Sequence, residues 1–208
     1  MVAVLAGHWE RHQLAPRTFA MIGDGNGFLG ALIRRVVPEA RMYCIDLPKA
    51  LVFQAAIHQR ADARASMGRV AGPGASEASI TFVLPQEIDQ VPDMIDCAVN
   101  VASLQEMNRR SIEGYFTWLR RRSRPQSRFY CVNREEKSLP GGEVARFAEY
   151  PWRSDDEVWL DGPCLYYTHY LSRRSSPEGP RLLGRRVPFI NYFEGSMRHR
   201  LVHLAPES

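Results

Sequence analysis

The chain of 208 residues is 45% hydrophobic, which suffices for one sizeable core but not for two. It has 27 Lys and Arg against 23 Asp and Glu, and the net charge of +4 is too small to indicate a nucleic-acid partner. No apolar stretch reaches the length of a membrane span, and the start shows no signal-peptide pattern. We therefore expect one cytoplasmic domain, residues 1–208, with neither a nucleic-acid nor a membrane partner.

The four cysteines are widely spaced and form no C-x-x-C pair, which is typical of free thiols in a reducing compartment. His199 and His203 share one face of a predicted strand, but no third ligand accompanies them, so we expect no metal site. The sequence leaves the oligomeric state open, a homo-oligomer included.

Periodicity and chain breakers predict alternating helices and strands in the first 133 residues. A short helix occupies the N-terminal segment 1–17, and the first strand covers 18–22. A helix then covers 28–36 and a strand 41–46. Pro48 opens the next helix, whose predicted inner face consists of Leu51, Val52, Ala55 and Ala56. Residues 68–76 read as a loop.

Two further strands are predicted at 79–84 and 94–101, a helix capped by Asn108 follows, and a fifth strand covers 128–133. This alternation predicts an α/β fold: a Rossmann-like, doubly wound, mostly parallel sheet with helices on both faces. Residues 139–198 form a loop-rich region on the substrate side, with one short helix at 144–148. Strands at 164–172 and 199–204, joined by a polar connection, would form the edge of a mixed sheet.

A glycine turn lies between the first strand and the next helix. Gly23-x-Gly25-x-Gly27 fits the turn that holds S-adenosylmethionine, whereas Gly25-x-Gly27-x-x-Gly30 fits the dinucleotide fingerprint. Asp46 ends the second strand nineteen residues after Gly27, where a carboxylate can accept the hydroxyls of an adenosine ribose. Turn and acid together predict an adenosine site, with either cofactor.

Motifs along nearly the whole chain resemble class I S-adenosylmethionine-dependent methyltransferases, and most narrowly the sugar O-methyltransferase family of bacterial glycan gene clusters. The motifs are Ile22-Gly23-Asp24-Gly25-x-Gly27, Ile45-Asp46-Leu47, Asn100-Val101-x-Ser103-Leu104-Gln105-Glu106-Met107, Phe129-Tyr130-Cys131-Val132-Asn133-Arg134, Glu149-Tyr150-Pro151-Trp152 and His199-Arg200-Leu201-Val202. The resemblance implies a sheet of about seven strands, the last one antiparallel. It also implies S-adenosylmethionine as cofactor and methyl transfer to a hydroxyl of a saccharide or glycosylated small molecule.

The resemblance implies a cofactor site on the glycine turn and the strand ends. Its predicted members are Gly23, Asp24, Gly25, Gly27, Asp46, Leu47, Gln86 and Asn100. A base must take the proton of the acceptor hydroxyl, and reacting groups gather at the carboxyl ends of parallel strands. The catalytic candidates are therefore Glu106, which we favour, Glu136 and His169. The predicted substrate contacts are Gln105, Arg134, Tyr150 and Trp152, whose aromatic rings offer flat faces to a sugar.

Two alternatives stay open on the sequence. The first is an NAD(P)-dependent oxidoreductase, which the dinucleotide fingerprint favours, although no hydride-transfer constellation is recognisable. The second is a degenerate, non-catalytic methyltransferase-like domain, because Met21 stands where many methyltransferases carry an acid.

Overall fold

The computed structural model describes residues 1–72, 77–168, 171–172, 180–188, 191–192 and 196–207. The α-helices are α1 (Val2–Arg11), α2 (Phe28–Val36), α3 (Pro48–Ala61), α4 (Arg109–Arg122) and α5 (Leu165–Thr168). Short 3₁₀ turns lie at Pro85–Gln90, Leu104–Glu106 and Phe147–Glu149. The strands of the large sheet are β1 (Thr18–Ile22), β2 (Arg41–Ile45), β3 (Met67–Arg69), β4 (Ile80–Val83), β5 (Ile95–Val101), β6 (Ser123–Arg134), β9 (Glu157–Pro163) and β14 (Met197–His203). Two-stranded pairs join β7 (Glu136–Ser138) to β8 (Val144–Arg146), β10 (Leu171–Ser172) to β13 (Asn191–Tyr192), and β11 (Arg181–Leu182) to β12 (Arg185–Arg186).

The eight strands of the large sheet have the order β3-β4-β2-β1-β5-β6-β14-β9. Neighbours from β3 to β6 are parallel, and β14 runs antiparallel between β6 and β9. This confirms the doubly wound, mostly parallel sheet with an antiparallel last strand. The additional strand is β3, which overlaps the start of the predicted loop 68–76, because the backbone of Met67–Arg69 pairs with Ile80–Phe82 at the sheet edge.

Helices cover both faces of the sheet, as predicted. On one face, α1 and α2 bury Leu5, Trp9 and Ile33 against β1 and β2. On the other face, α4 buries an aromatic-rich stripe against β5 and β6. Continuous burial of the central strands on both sides explains why their sequences are almost uninterrupted apolar runs.

Two predictions for the C-terminal third are wrong. The partner of β14 is β9 and not a strand at 164–172, since Leu165–Thr168 is helical. Asp161 of β9 forms ion pairs of 2.6 Å with both Arg198 and Arg200 of β14. These ion pairs help to fix the register between β9 and β14. The predicted helix at 144–148 is also wrong, because Val144–Arg146 pairs with β7 and a 3₁₀ turn follows.

The inner face of α3 differs from the prediction as well. Gln54 and His58 are buried, whereas Val52 is 70% exposed and Ala56 is exposed. Both polar side chains have partners in or beside β2: Gln54 hydrogen-bonds to Asp46 just after the strand, and His58 contacts Cys44 within it. Specific polar contacts therefore determine the rotation of this helix.

An ion pair inside the core fastens the C-terminal segment to α4. The side chains of Arg120 and Asp156 are each 1% exposed and are joined by two hydrogen bonds of 2.6 and 3.0 Å. Arg120 also donates to the carbonyls of Pro151 and Ala205. Burial raises the pKa of Asp156, but its bonds to Arg120 and to two backbone N–H groups outweigh that and leave the pKa below its usual range.

We expect Arg120→Met to lower the free energy of unfolding by about 3–5 kcal/mol, because it leaves a buried carboxylate unpaired. Arg121→Met is the matched control. It breaks an exposed pair with Asp89 and should cost about 0–1 kcal/mol. Urea denaturation of both variants measures the difference, and equal losses would contradict a special role for the buried pair.

Candidate functional site

Three glycines of the turn have positive φ angles of 67°, 61° and 82° at Gly23, Gly25 and Gly27. A Cβ on Gly23 would overlap the Ser103 hydroxyl, and one on Gly27 would lie 2.8 Å from the Cα of Gln54. A Cβ on Gly25 would meet no described atom within 4 Å. Gly23 and Gly27 therefore let the turn pack against the protein, while Gly25 borders open space that a ligand can approach.

Asp24 caps the helix that follows the turn. Its carboxylate accepts hydrogen bonds from the backbone N–H groups of Gly30 at 2.7 Å and Leu29 at 3.3 Å. Burial raises the pKa of Asp24 to about 6, against the opposing effect of these bonds. The side chain of this predicted cofactor residue is therefore bonded to the start of α2.

Asp46 lies directly at the glycine turn, as the sequence predicts. Its Oδ2 accepts from the Gly25 N–H at 3.0 Å and from Gln54 Nε2 at 2.8 Å, and its Oδ1 accepts from the Leu47 N–H at 2.8 Å. Burial raises the pKa of Asp46. Leu47 is 65% exposed beside it and offers an apolar surface at the mouth of the site.

Sequence reasoning missed Gln54. It follows Leu51 and precedes His58 at spacings of three and four, so these residues lie along one stripe of α3. The helical spacing could have identified this stripe. Because Gln54 and His58 are polar, the prediction placed a more apolar set of residues on the inner face.

Asn100 joins the carboxyl ends of three strands. Its Nδ2 donates to the Ile22 carbonyl of β1 at 2.9 Å, and its Oδ1 accepts from Asn133 of β6 at 2.8 Å. Ser103, also missed from the sequence, donates to the same Ile22 carbonyl at 3.1 Å. The Asn100 side chain, predicted to contact the cofactor, is fully buried and holds the strand that ends in the glycine turn.

Gln105 continues this network toward Glu106. Its backbone N–H donates to Asn133 at 3.0 Å, its Oε1 accepts from the Arg134 N–H at 2.7 Å, and its Nε2 donates to Glu106 at 3.3 Å. Gln105 is only 5% exposed. The structure therefore places this predicted substrate residue in a supporting position, where it orients Glu106.

Glu106 is half-exposed at the carboxyl end of β5, and its Oε1 lies 3.4 Å from Lys137 Nζ. Within the described residues its Oε2 has no partner. Glu136, the second catalytic candidate, is exposed and paired with Arg146 at 3.0 Å. The third candidate, His169, lies outside the described residues.

Gln86 is exposed in the 3₁₀ turn that follows β4, at the same edge of the sheet.

Tyr150 and Trp152 belong to an aromatic cluster packed on α4. The ring of Trp152 lies 4.8 Å from that of Phe116, its Nε1 donates to the Phe147 carbonyl at 2.8 Å, and Arg200 lies 4.5 Å above it. Tyr150 is 5% exposed, and burial raises its pKa above the usual range. These two predicted substrate contacts therefore pack mainly in the core, beside a surface cleft of about 260 Å³ between α4 and β8.

Comparisons with known proteins bear on the fold. No family model matches the chain, and no curated protein matches it. Among solved structures, it is similar to a 1,6-didemethyltoxoflavin-N1-methyltransferase from Burkholderia thailandensis, at 14% identity and a TM-score of 0.60 over 98% of this chain and 76% of that one. The structure of that enzyme contains bound 1,6-didemethyltoxoflavin and S-adenosylhomocysteine.

Two further similar structures are methyltransferases. Coclaurine N-methyltransferase has a TM-score of 0.57 and 10% identity, over 97% of this chain and 71% of that one. A precorrin-6y C5,15-methyltransferase from Geobacter metallireducens has a TM-score of 0.53 and 12% identity, over 98% and 88%. The chain has the class I methyltransferase fold.

The match is shorter for other methyltransferases. The chain spans 35% of the length of SibL and 36% of a protein from Nostoc punctiforme, with TM-scores of 0.45 and 0.48 that are too low to support further conclusions. In the part of the chain that the structure describes, no helix is long and apolar enough to cross a membrane.

His58 gives the site region a pH-dependent stability. Burial, followed by the nearby Arg34, lowers the pKa of His58 to about 4. Below pH 6.5 the unfolded chain therefore binds a proton that the folded chain excludes. As pH falls from 6.5 to about 4, His58 destabilises the fold by up to about 1.4 kcal/mol per pH unit.

We expect the difference in free energy of unfolding between the wild type and His58→Gln to shrink steadily as the pH falls from 7 to 4. Denaturant titrations at several pH values measure it, with the exposed His12→Gln as control. Curves for wild type and His58→Gln that run parallel across this range would contradict the assignment.

Proposed function

We propose that the chain is an S-adenosylmethionine-dependent O-methyltransferase that acts on a hydroxyl of a saccharide or glycosylated small molecule. The observation that carries the proposal is the direct hydrogen bond between Gly25 of the glycine turn and Asp46, in a sheet whose antiparallel β14 lies between β6 and β9. The solved structures with the same fold, which are named as methyltransferases, support the reaction class.

The turn fits an adenosine-containing cofactor. The space beside Gly25 admits a ligand to the backbone, because nothing described would meet a side chain there. Asp46 uses three of its roughly four acceptor positions within the protein, and the remaining one on Oδ1 can accept a ribose hydroxyl. Leu47 and Gln86 border the same edge and would contact the adenine.

When bound, S-adenosylmethionine supplies an electrophilic methyl group on a sulfonium ion. The residues of this chain orient the acceptor hydroxyl and remove its proton. Gln105 and Lys137 fix one oxygen of Glu106, and the other oxygen would take the proton of the acceptor hydroxyl. Glu106 is therefore the general base in this proposal.

The saccharide specificity rests on the resemblance of the later motifs. Asn100, Gln105 and Asn133, which belong to those motifs, form the network behind Glu106. An oxidoreductase receives less support, because the solved structures that share the fold are named as methyltransferases.

We expect Glu106→Gln to lower the rate of methyl transfer by about 10²–10⁴-fold while S-adenosylhomocysteine still binds, because only the proton acceptor is lost. Transfer of labelled methyl from S-adenosylmethionine to a panel of saccharides and glycosides measures the rate. Glu113→Gln, which alters an exposed ion pair of α4, is the control. An unchanged rate in Glu106→Gln would remove Glu106 from the mechanism, and transfer only to non-sugar acceptors would overturn the saccharide assignment.

A further inference from the structure

Gln54 connects the glycine turn to Asp46, the two parts of the proposed adenosine site. Its Nε2 donates to Asp46 Oδ2 at 2.8 Å and to the Gly25 carbonyl at 3.3 Å, while the Gly25 N–H donates to the same Asp46 oxygen at 3.0 Å. These three bonds form a closed ring that includes the open position of the turn and the acid. No motif of the turn contains Gln54.

The packing leaves Gln54 little freedom. Its side chain is 0% exposed, and its Cα would lie 2.8 Å from a Cβ on Gly27, so α3 packs directly on the turn. The glycine at position 27 is what allows this approach. The Gln54 side chain therefore contacts both the turn and Asp46 directly.

The stability of the fold alone does not explain a side-chain amide at position 54. Gln54 Oε1 is buried and has no hydrogen-bond partner among the described residues. A buried acceptor without a partner costs free energy, which an aliphatic side chain of similar size would avoid. The benefit of the amide must lie in its two donated bonds, both of which end on the adenosine site.

We propose that Gln54 is a positioning residue for cofactor recognition: it holds the Asp46 carboxylate and the Gly25 peptide in the arrangement that receives the ribose of an adenosyl cofactor. This inference rests on the proposed function, since it assumes that an adenosyl cofactor binds here. Gln54 is fully buried and would act through Asp46 and Gly25 and not by direct contact with the cofactor. It acts by fixing which acceptor position of Asp46 stays free, on Oδ1.

A charged replacement gives the role a distinctive signature. In Gln54→Glu, a second carboxyl group lies beside that of Asp46. The two groups therefore retain a shared proton at low pH and lose it as the pH rises. A retained proton can still donate to Asp46, whereas two carboxylates repel each other and separate. The other titratable or charged groups around this pair are Asp24 in the turn, Arg34 on α2, Cys44 on β2, His58 on α3 and Tyr115 on α4. They are shared with the wild type, so the ratio of the two affinities at each pH isolates the new carboxyl.

Calorimetric titration with S-adenosylhomocysteine tests the proposal on the full chain, with thermal unfolding measured in parallel. We expect Gln54→Leu to raise the Kd about ten-fold or more without a lower melting temperature. For Gln54→Glu, the affinity relative to wild type should be close to one at pH 5.5 and fall progressively toward pH 9. Gln59→Leu, on the exposed side of α3, is the control and should bind as the wild type does.

The outcomes separate two kinds of failure. If the wild type does not bind S-adenosylhomocysteine, the proposed function fails and this inference with it. If the wild type binds and Gln54→Leu binds equally well, or if the affinity ratio of Gln54→Glu does not change with pH, the positioning role alone is overturned. If both variants fail to fold, Gln54 is a structural residue and the inference is likewise overturned.

Discussion

The site depends on one side chain, the carboxamide of Asn100. It is buried where β1, β5 and β6 end, and it bonds to the Ile22 carbonyl on one side and to Asn133 on the other. Parallel strands that end together leave backbone groups without ladder partners, and such groups must be paired when water is excluded. The two asparagines meet that need, and the glycine turn and Glu106 are built on the strand ends that they join.

The buried ion pair of the core and the candidate cofactor site belong to different segments of the chain. The buried pair of Arg120 and Asp156 fastens α4 to the C-terminal segment, far along the sequence from the glycine turn. The turn itself contains three positive φ angles, and Asp24 and Asp46 have raised pKa values because they are partly desolvated. Desolvated carboxyl groups of this kind cost stability and are typical of binding sites.

The sequence predicted the parts of the fold that depend on local rules. Hydrophobic periodicity and chain breakers predict the helix that begins after the glycines, the strand that ends beside Asp46 and the two-sided burial of the central strands. The segments at 144–148 and 164–172 were predicted wrongly, because β8 and β9 are specified by cross-strand partners and show little periodicity of their own.

The site was partly predictable for the same reason. Asp46 and the glycines carry a recognised spacing, whereas the contact of Gln54 with Gly25 spans 29 positions and that of Asn133 with Asn100 spans 33. Tyr150 and Trp152 were predicted to face substrate, yet most of their surface packs against α4 and the neighbouring rings. Single side chains whose role depends on distant partners require the folded arrangement before they can be assigned.

The most direct test of the account is calorimetric titration of the wild type and Asp46→Ala with S-adenosylhomocysteine, S-adenosylmethionine and NAD. The account predicts that the wild type binds both adenosyl compounds but not NAD, and that Asp46→Ala loses this binding. Binding of NAD alone would contradict it in favour of an oxidoreductase. Binding of none of the three would contradict it in favour of a non-catalytic domain.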